Sequence, residues 1–205
     1  MTDVKYGPLT SFNDCELALL ELIDNWFNSY LAARERKVGI VPGKITRPRS
    51  YTVKNQFTTL PGEEQTPLII VVSGGFNASP DRHGDGTYDV YLRMGIAAVV
   101  QGPEAIATRA LAGHYQAALL SLLLKNRTMM NGQMSMCELL DLNMDDISDE
   151  DSGRSLCAVR LAFEYKVQNF AEEYDGPTVV PPDPIVPQPD DPIVLTHDEV
   201  VEAMP

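Results

Sequence analysis

The sequence predicts an α+β fold: a mostly antiparallel sheet of four or five strands, two helices packed on one face, and an extended C-terminal arm. Three observations predict it. Two long segments carry apolar residues at helical spacing. The runs between and after them either alternate or are continuously β-branched. The links between these runs are short, which favours neighbouring antiparallel strands. The order is helix, three strands, helix, an ambiguous strand, a clear strand and a tail, with no internal repeat.

The first helix is expected over residues 13–35. Asn13 can cap it, and Glu16 three positions on completes a capping-box pattern. Leu17, Leu20, Ile23, Phe27 and Leu31 form one face, widened by Leu19, Leu22 and Trp26. Arg34, Arg36 and Lys37 suit the negative C-terminal end, and Gly39 and Pro42 stop the helix. Residues 51–53 read as a short edge strand or a loop, because Arg47, Arg49 and Lys54 make the segment basic and Pro48 lacks a donor. Residues 61–64, Pro-Gly-Glu-Glu, read as a turn.

Residues 68–72, LIIVV, form a strand buried on both faces, ended by Gly74 and Gly75. A loop over 76–86 leads into a long strand at 87–100. Tyr88, Val90, Leu92, Met94 and Ile96 share its inner face, and Asp89, Tyr91 and Arg93 its wet face. The two strands pair as a hairpin, with a bulge or bend at Gly95. The second helix is expected over 102–126, with Pro103 at its first position and Glu104 at its positive end. Its stripe is Leu111, Tyr115, Ala118, Leu119 and Leu122. Residues 119–124 are apolar nearly all round, so that half is deeply buried.

Asn131-Gly132 is a turn, and 133–144 is ambiguous, with Leu139, Leu140 and Leu142 as a possible short strand. Residues 145–153 read as an acidic loop. The strand at 154–170 is the clearest in the chain: Cys157, Val159, Leu161, Phe163, Tyr165 and Val167 alternate with polar positions.

Composition bounds the function. A chain of 205 residues, 44% hydrophobic and 22% charged, is one domain with an appendage, divided here into a body at 1–170 and an arm at 171–205. The net charge of −13 argues against a protein that neutralises nucleic-acid phosphates. No apolar run is long enough for a membrane span, and the N-terminus lacks a signal-peptide pattern. The arm holds nine of the 29 acidic residues, no Lys or Arg, and eight of the 15 prolines. Such a segment is extended and cannot fold alone. Its Val179-Val180, Ile185-Val186 and Ile193-Val194-Leu195 clusters suit an arm laid along a neighbouring subunit.

Five features tempt an assignment of chemistry. Ser73-Gly74-Gly75 lacks the lysine and the following helix of a phosphate cradle. Asp81-x-His83-x-Asp85-Gly86 alternates three ligand types, but the twelfth position of a calcium loop would be Leu92. The acids of 145–151 have no His or aromatic partner in sequence, and His114 sits among alanines. Cys15, Cys137 and Cys157 are odd in number and form no C-x-x-C pair, as in a reduced chain. No catalytic, cofactor-binding or metal-binding residue is assigned, and no enzyme is expected.

Over residues 10–170 the pattern resembles the tail terminators, or tail-completion proteins, of long-tailed bacteriophages. The segments that carry the resemblance are ELALLELIDNWFNSYL, PLIIVVSGG with TYDVYLRMGIAAVV, ATRALAGHYQAALLSLLLKN and CAVRLAFEYKV. The resemblance implies a structural virion protein: a homo-oligomeric ring, typically a hexamer, that caps the tail tube, ends its polymerisation and joins tail to head. The implied partners are further copies of the chain, the tail tube protein and neck or head–tail connector proteins. The resemblance also implies that DNA passes through the lumen without specific binding. The implied location is the virion tail and neck, after assembly in the host cytoplasm. The acidic arm is no part of the family's common core. The alternatives are a neck or head–tail joining protein and, from another class, a small-molecule enzyme or regulatory binding domain.

Overall fold

The computed structural model describes residues 10–53, 62, 64–149 and 154–172. Residues 61 and 63 of the expected turn, 150–153 of the expected acidic loop, and the arm beyond 172 lie outside the described residues.

Helix α1 spans Phe12–Val38. Its N-cap is Ser11 rather than Asn13. The Ser11 hydroxyl accepts from the Asp14 amide at 3.2 Å, and Asp14 Oδ2 accepts from the Ser11 amide at 2.7 Å, closing a reciprocal box. Ser11 is already extended while Asn13 is helical, so the box forms two residues earlier. The buried stripe is Cys15, Leu19, Ile23, Phe27 and Leu31, all at spacing four. Leu17 and Trp26 are exposed, which departs from the expected face. The helix meets the sheet along an i±4 ridge, and the two side chains fall off that ridge. Gly39 closes the helix in the left-handed conformation, φ 72°, as its sequence position predicts.

The remaining elements are β1 (Ser50–Val53), β2 (Leu68–Phe76), β3 (Asp81–Arg82), β4 (Thr87–Gly102), α2 (Ala105–Lys125), β5 (Thr128–Met129), β6 (Met134–Asp149) and β7 (Arg154–Glu172). The fold is α+β, as expected, but the sheet has seven strands rather than four or five. Its order is β1-β2-β4-β7-β6-β5, with β3 paired to β4. It is mixed: β1 runs parallel to β2, and every other pair is antiparallel.

Three expectations about strands change. Gly74 and Gly75 do not end β2. The strand runs on through a register shift between Ser73 and Phe76, where Gly75 has φ 85°. Gly95 makes no bulge; it pairs in register with Val72 and Ala162. A Cβ there would lie 3.0 Å from Val72 Cγ2, so close packing accounts for the glycine. The bulge of β4 falls instead between Tyr88 and Val90.

The ambiguous 133–144 and the first part of the acidic loop are a single strand, β6, paired with β7 through Asp149. Register shifts between Met136 and Glu138 and between Leu139 and Asp141 put Met134, Met136, Leu139, Leu142 and Met144 opposite inward-facing residues of β7. Two extra residues break the period of two, which is why the sequence shows no alternation there.

Helix α2 begins at Ala105, three residues later than expected, with Gly102 and Pro103 before it. A Cβ on Gly102 would approach Thr108 Oγ1 at 2.7 Å and the Thr108 amide at 2.9 Å, so the helix start lies against β4 here. Tyr115, Ala118, Leu119 and Leu122 are buried as expected, while Leu124 is exposed. Among the described residues no helix is long and apolar enough to cross a membrane.

The main core lies between the two helices and one sheet face. It joins Leu19, Ile23 and Phe27 to Leu92, Met94, Ile96, Leu161 and Phe163. Tyr165 is buried in it with no partner for its hydroxyl among the described residues, and burial pushes its phenol up. An unpaired buried hydroxyl costs about 1–3 kcal/mol. Tyr165→Phe is therefore expected to raise the melting temperature by a few degrees. A lower melting temperature by calorimetry would mean the hydroxyl is satisfied in solution. On the opposite face of the sheet, Arg93 and Arg160 are exposed and Tyr91, Ala97, Ala162 and Glu164 are partly exposed.

Candidate functional site

The structure takes apart the loop that tempted a metal assignment. His83 Nε2 lies 3.0 Å from Asp89 Oδ2, while Asp85 Oδ1 accepts from the Thr87 amide at 3.1 Å and its hydroxyl at 2.8 Å. Asp85 is thus a turn-forming side chain. Asp81 and Arg82 form the short β3. Among the described residues no group of three or more His, Cys, Asp or Glu could hold a metal ion.

The carboxylate that organises this end of the sheet is Asp89, which alternation places on the wet face. It is 3% exposed. Besides His83, Lys166 Nζ sits 2.8 Å from Oδ2, and the Asn169 amide donates to Oδ1 at 3.0 Å. Burial opposes ionisation, yet these donors from Lys166, Asn169 and His83 hold the carboxyl below its ordinary value. Asn169 takes φ 50° to make its contact. The sequence signal was faint: Asp89 keeps the face that alternation gives it, beside Lys166, and is buried there by partners from the β3–β4 turn and from β7 that period-two reading cannot foresee.

A cleft of about 410 Å³ opens here, lined by His83, Gly84, Asp85, Thr87, Asp89, Gln168 and Asn169. His83 and Asp89 resemble two members of a catalytic triad. A nucleophile is needed to complete it, but the Thr87 hydroxyl is bonded to Asp85, and among the described residues no hydroxyl or thiol bonds to His83. Asp89 also shares its charge with Lys166. The arrangement ties the β3–β4 turn to β7. A second cleft of about 360 Å³ is lined by Thr46, Arg49, Thr66, Pro67, Gln101, Gly102 and Pro103. Gln101 Oε1 accepts from Arg154 Nη2 at 2.6 Å and from Thr66 Oγ1 at 3.2 Å, so its polar groups engage one another.

The thiols fit the same picture. Burial, with Asp14 and Glu16 nearby, pushes Cys15 up to about 12. Burial and the Asp146 carboxylate push Cys157 up to about 11. Neither forms a thiolate at neutral pH. Cys137 is exposed on β6. His114 lies on α2 with Nδ1 buried and unpartnered among the described residues, and burial together with Arg34 depresses its pKa, which favours the neutral ring. Of the acidic cluster, Asp145 and Asp146 are strand residues that meet Arg160 at 3.6 Å and Arg109 at 2.7 Å.

The feature of greatest extent is an edge. β5 pairs with β6 only at Met134 and Ser135, and the Met136 amide donates to the Arg127 carbonyl. From 137 to 149 no described strand lies outside β6. That is about 40 Å of strand at ~3.3 Å per residue. Exposed backbone donors and acceptors of this length are a template for another chain. Sequence reasoning missed the edge because it read half of it as a loop.

No family model matches the chain, and no curated protein matches it. Among solved structures, it is similar to a chain of a particle described as "Virion of native gene transfer agent (GTA) particle". The identity is 12% and the TM-score 0.42, over 75% of this chain and 93% of that one. A likeness at that level assigns no function.

Proposed function

We propose that this protein is a structural subunit that works by touching copies of itself, as a ring of the tail-terminator kind that caps a phage tail tube and meets neck or head–tail connector proteins. The observation that carries the reading is the long open edge of β6. A protein that acts alone has reason to cover, shorten or interrupt such an edge. Here residues 137–149 contain no proline and no lysine, and beyond the register shifts that end at Asp141 the ladder runs uninterrupted to Asp149. Support also comes from the two clefts, whose polar groups are engaged with one another, and from the helix–strand plan described above. An enzyme would need a poised nucleophile, base or metal, and the described clusters bind each other instead. The body at 1–170 supplies the ring, and the acidic proline-rich arm at 171–205 adds contacts along a neighbour. In the lumen, the net negative charge lets DNA slide past without adhering.

Size-exclusion chromatography with light scattering tests the reading. The expected result is a closed oligomer, six subunits in the tail-terminator case, in exchange with smaller species. Removing residues 177–205 is expected to leave the melting transition of the body in place while raising the concentration at which the oligomer dissociates. A full-length chain that stays monomeric at every concentration and salt would sink the proposal. A truncated chain that assembles as well as the full one would remove the arm from it.

A further inference from the structure

Two exposed patches of this chain share an apolar centre and carry opposite charge. The first is the turn that leaves α1. Val38 and Val41 are 38% and 64% exposed, and Arg36, Lys37 and Lys44 stand exposed around them. None of these three bases has an ion-pair partner among the described residues. The one acid of residues 34–44, Glu35, is buried and bound to Arg47. The turn is nevertheless held firmly. Gly39 and Gly43 take φ 72° and 85°, and the Ile40 amide donates to the Glu35 carbonyl at 2.9 Å. The Gly43 and Ile45 amides donate to the Glu35 carboxylate. Ile45 is buried and Ile40 partly so, while the two valines stay in water. A turn fixed in this way presents its side chains at little ordering cost.

The second patch lies on β6. Leu139 and Leu142 are 36% and 37% exposed, opposite the core residues Phe163 and Leu161 of β7. Beside them Glu138 and Asp141 are exposed and make no ion pair among the described residues. Glu138 stands in register with Glu164, so two carboxylates face each other across the ladder, an unfavourable pairing that a base relieves. No base lies between residues 137 and 149.

We propose that the turn after α1 of one copy of this chain docks on the β6 patch of the next, with Val38 and Val41 against Leu139 and Leu142, and Lys37 and Lys44 toward Glu138 and Asp141. The inference rests on the ring reading above and names its interface. Position agrees. The turn leads into β1, which stands at one end of the strand order, and β6 lies toward the other. A patch and its complement on opposite sides of one chain make a head-to-tail contact, which closes a ring when the rotation closes. Apolar side chains form the centre of the contact and charges its rim, as in stable interfaces. The contact also lies on the open edge of β6 itself. Other occupants from this chain suit the patch less. A second β6 patch, or the arm at 171–205 with nine acids and no base, brings like charges together.

A native thiol allows a direct test. Cys137 is exposed next to Glu138 in the chain, whereas Cys15 and Cys157 are buried. In Val41→Cys, a short bis-maleimide is expected to join the introduced thiol to Cys137 of the next copy and give a ladder of covalently linked subunits. The wild type, and Val41→Cys combined with Cys137→Ser, are expected to give none. A charge swap supplies the second readout. Lys37→Glu with Lys44→Glu, or Glu138→Lys with Asp141→Lys, is expected to weaken assembly about tenfold at about 0.1 M salt, with the melting temperature of the dissociated chain little changed. All four together are expected to restore assembly to within a few-fold. A ring that gives no ladder, a ring that tolerates the β6 pair, or a fourfold variant that stays dissociated would each overturn this interface while leaving the ring intact. A wild-type chain that never associates would overturn the ring reading and this interface with it.

Discussion

Replacing Glu35 with alanine is expected to lower the melting temperature by on the order of 10 °C, a large effect for one surface-to-core carboxylate. The side chain is fully buried at the end of α1. It accepts from the Gly43 amide at 3.0 Å, the Ile45 amide at 2.8 Å and both terminal nitrogens of Arg47, the closer at 2.8 Å. Alanine strands two backbone donors and a guanidinium that is 31% exposed. The loop leaving α1 folds around this carboxylate, so the loss spreads beyond one contact.

The same group gives a signed pH dependence. Hydrogen bonds from Arg47 and the Gly43 amide outweigh burial and hold Glu35 at about 2, against an ordinary value of 4.5. Its folded pKa is depressed, so its contribution is complete above 4.5 and is lost as pH falls toward 2. Glu35→Gln keeps the shape and removes the charge. Melting temperature against pH should fall more steeply for the wild type than for Glu35→Gln between pH 4.5 and 2. Parallel curves in that window would show that the carboxylate is not the charged acceptor described here.

Which parts of this were legible in the residues follows from how far each interaction reaches. The helices and β7 announce themselves because their periods are local: Leu19, Ile23 and Phe27 repeat on one helix, and Cys157 to Val167 alternate on one strand. The sheet's width was not legible, because β3 and β5 are two-residue ladders set by their neighbours. β6 failed for a sharper reason. Its bulges insert residues that scramble the alternation, and its acids have poor strand propensity. Pairing with β7 overrides both. The site followed the same rule. Asp81, His83 and Asp85 looked like ligands by spacing, whereas the contacts that matter join Asp89 to His83, Lys166 and Asn169, up to 80 positions away in the chain. Glu35 and Arg47 lie twelve residues apart with no motif between them. That β1 stands at the opposite end of the strand order from β6 needed the topology.

Tyr115→Ala is expected to cost about 4 kcal/mol, roughly 10 °C in melting temperature. Tyr115 is fully buried on α2, and its ring meets Phe27 of α1 edge-on at 5.2 Å. Removing it opens a cavity where the helices and sheet converge. Its hydroxyl also donates to the Thr46 carbonyl at 2.8 Å, one residue from the amide held by Glu35. The loop before β1 is therefore held from both helices, by Glu35 of α1 and Tyr115 of α2. Tyr115→Phe isolates the second hold and is expected to cost about 1 kcal/mol. Burial raises the phenol's pKa, so it remains a donor throughout the neutral range. Because the two holds share one loop, combining Tyr115→Phe with Glu35→Gln should cost measurably less than the separate losses added together. Strict additivity in a double-mutant cycle would mean that each hold acts alone. The shared hold has a consequence at the sheet edge. Once Glu35 releases the loop, the second loss finds β1 already loosened, and amide exchange at Ser50–Val53 should rise more in Glu35→Gln than at Leu68–Val71 on the neighbouring strand.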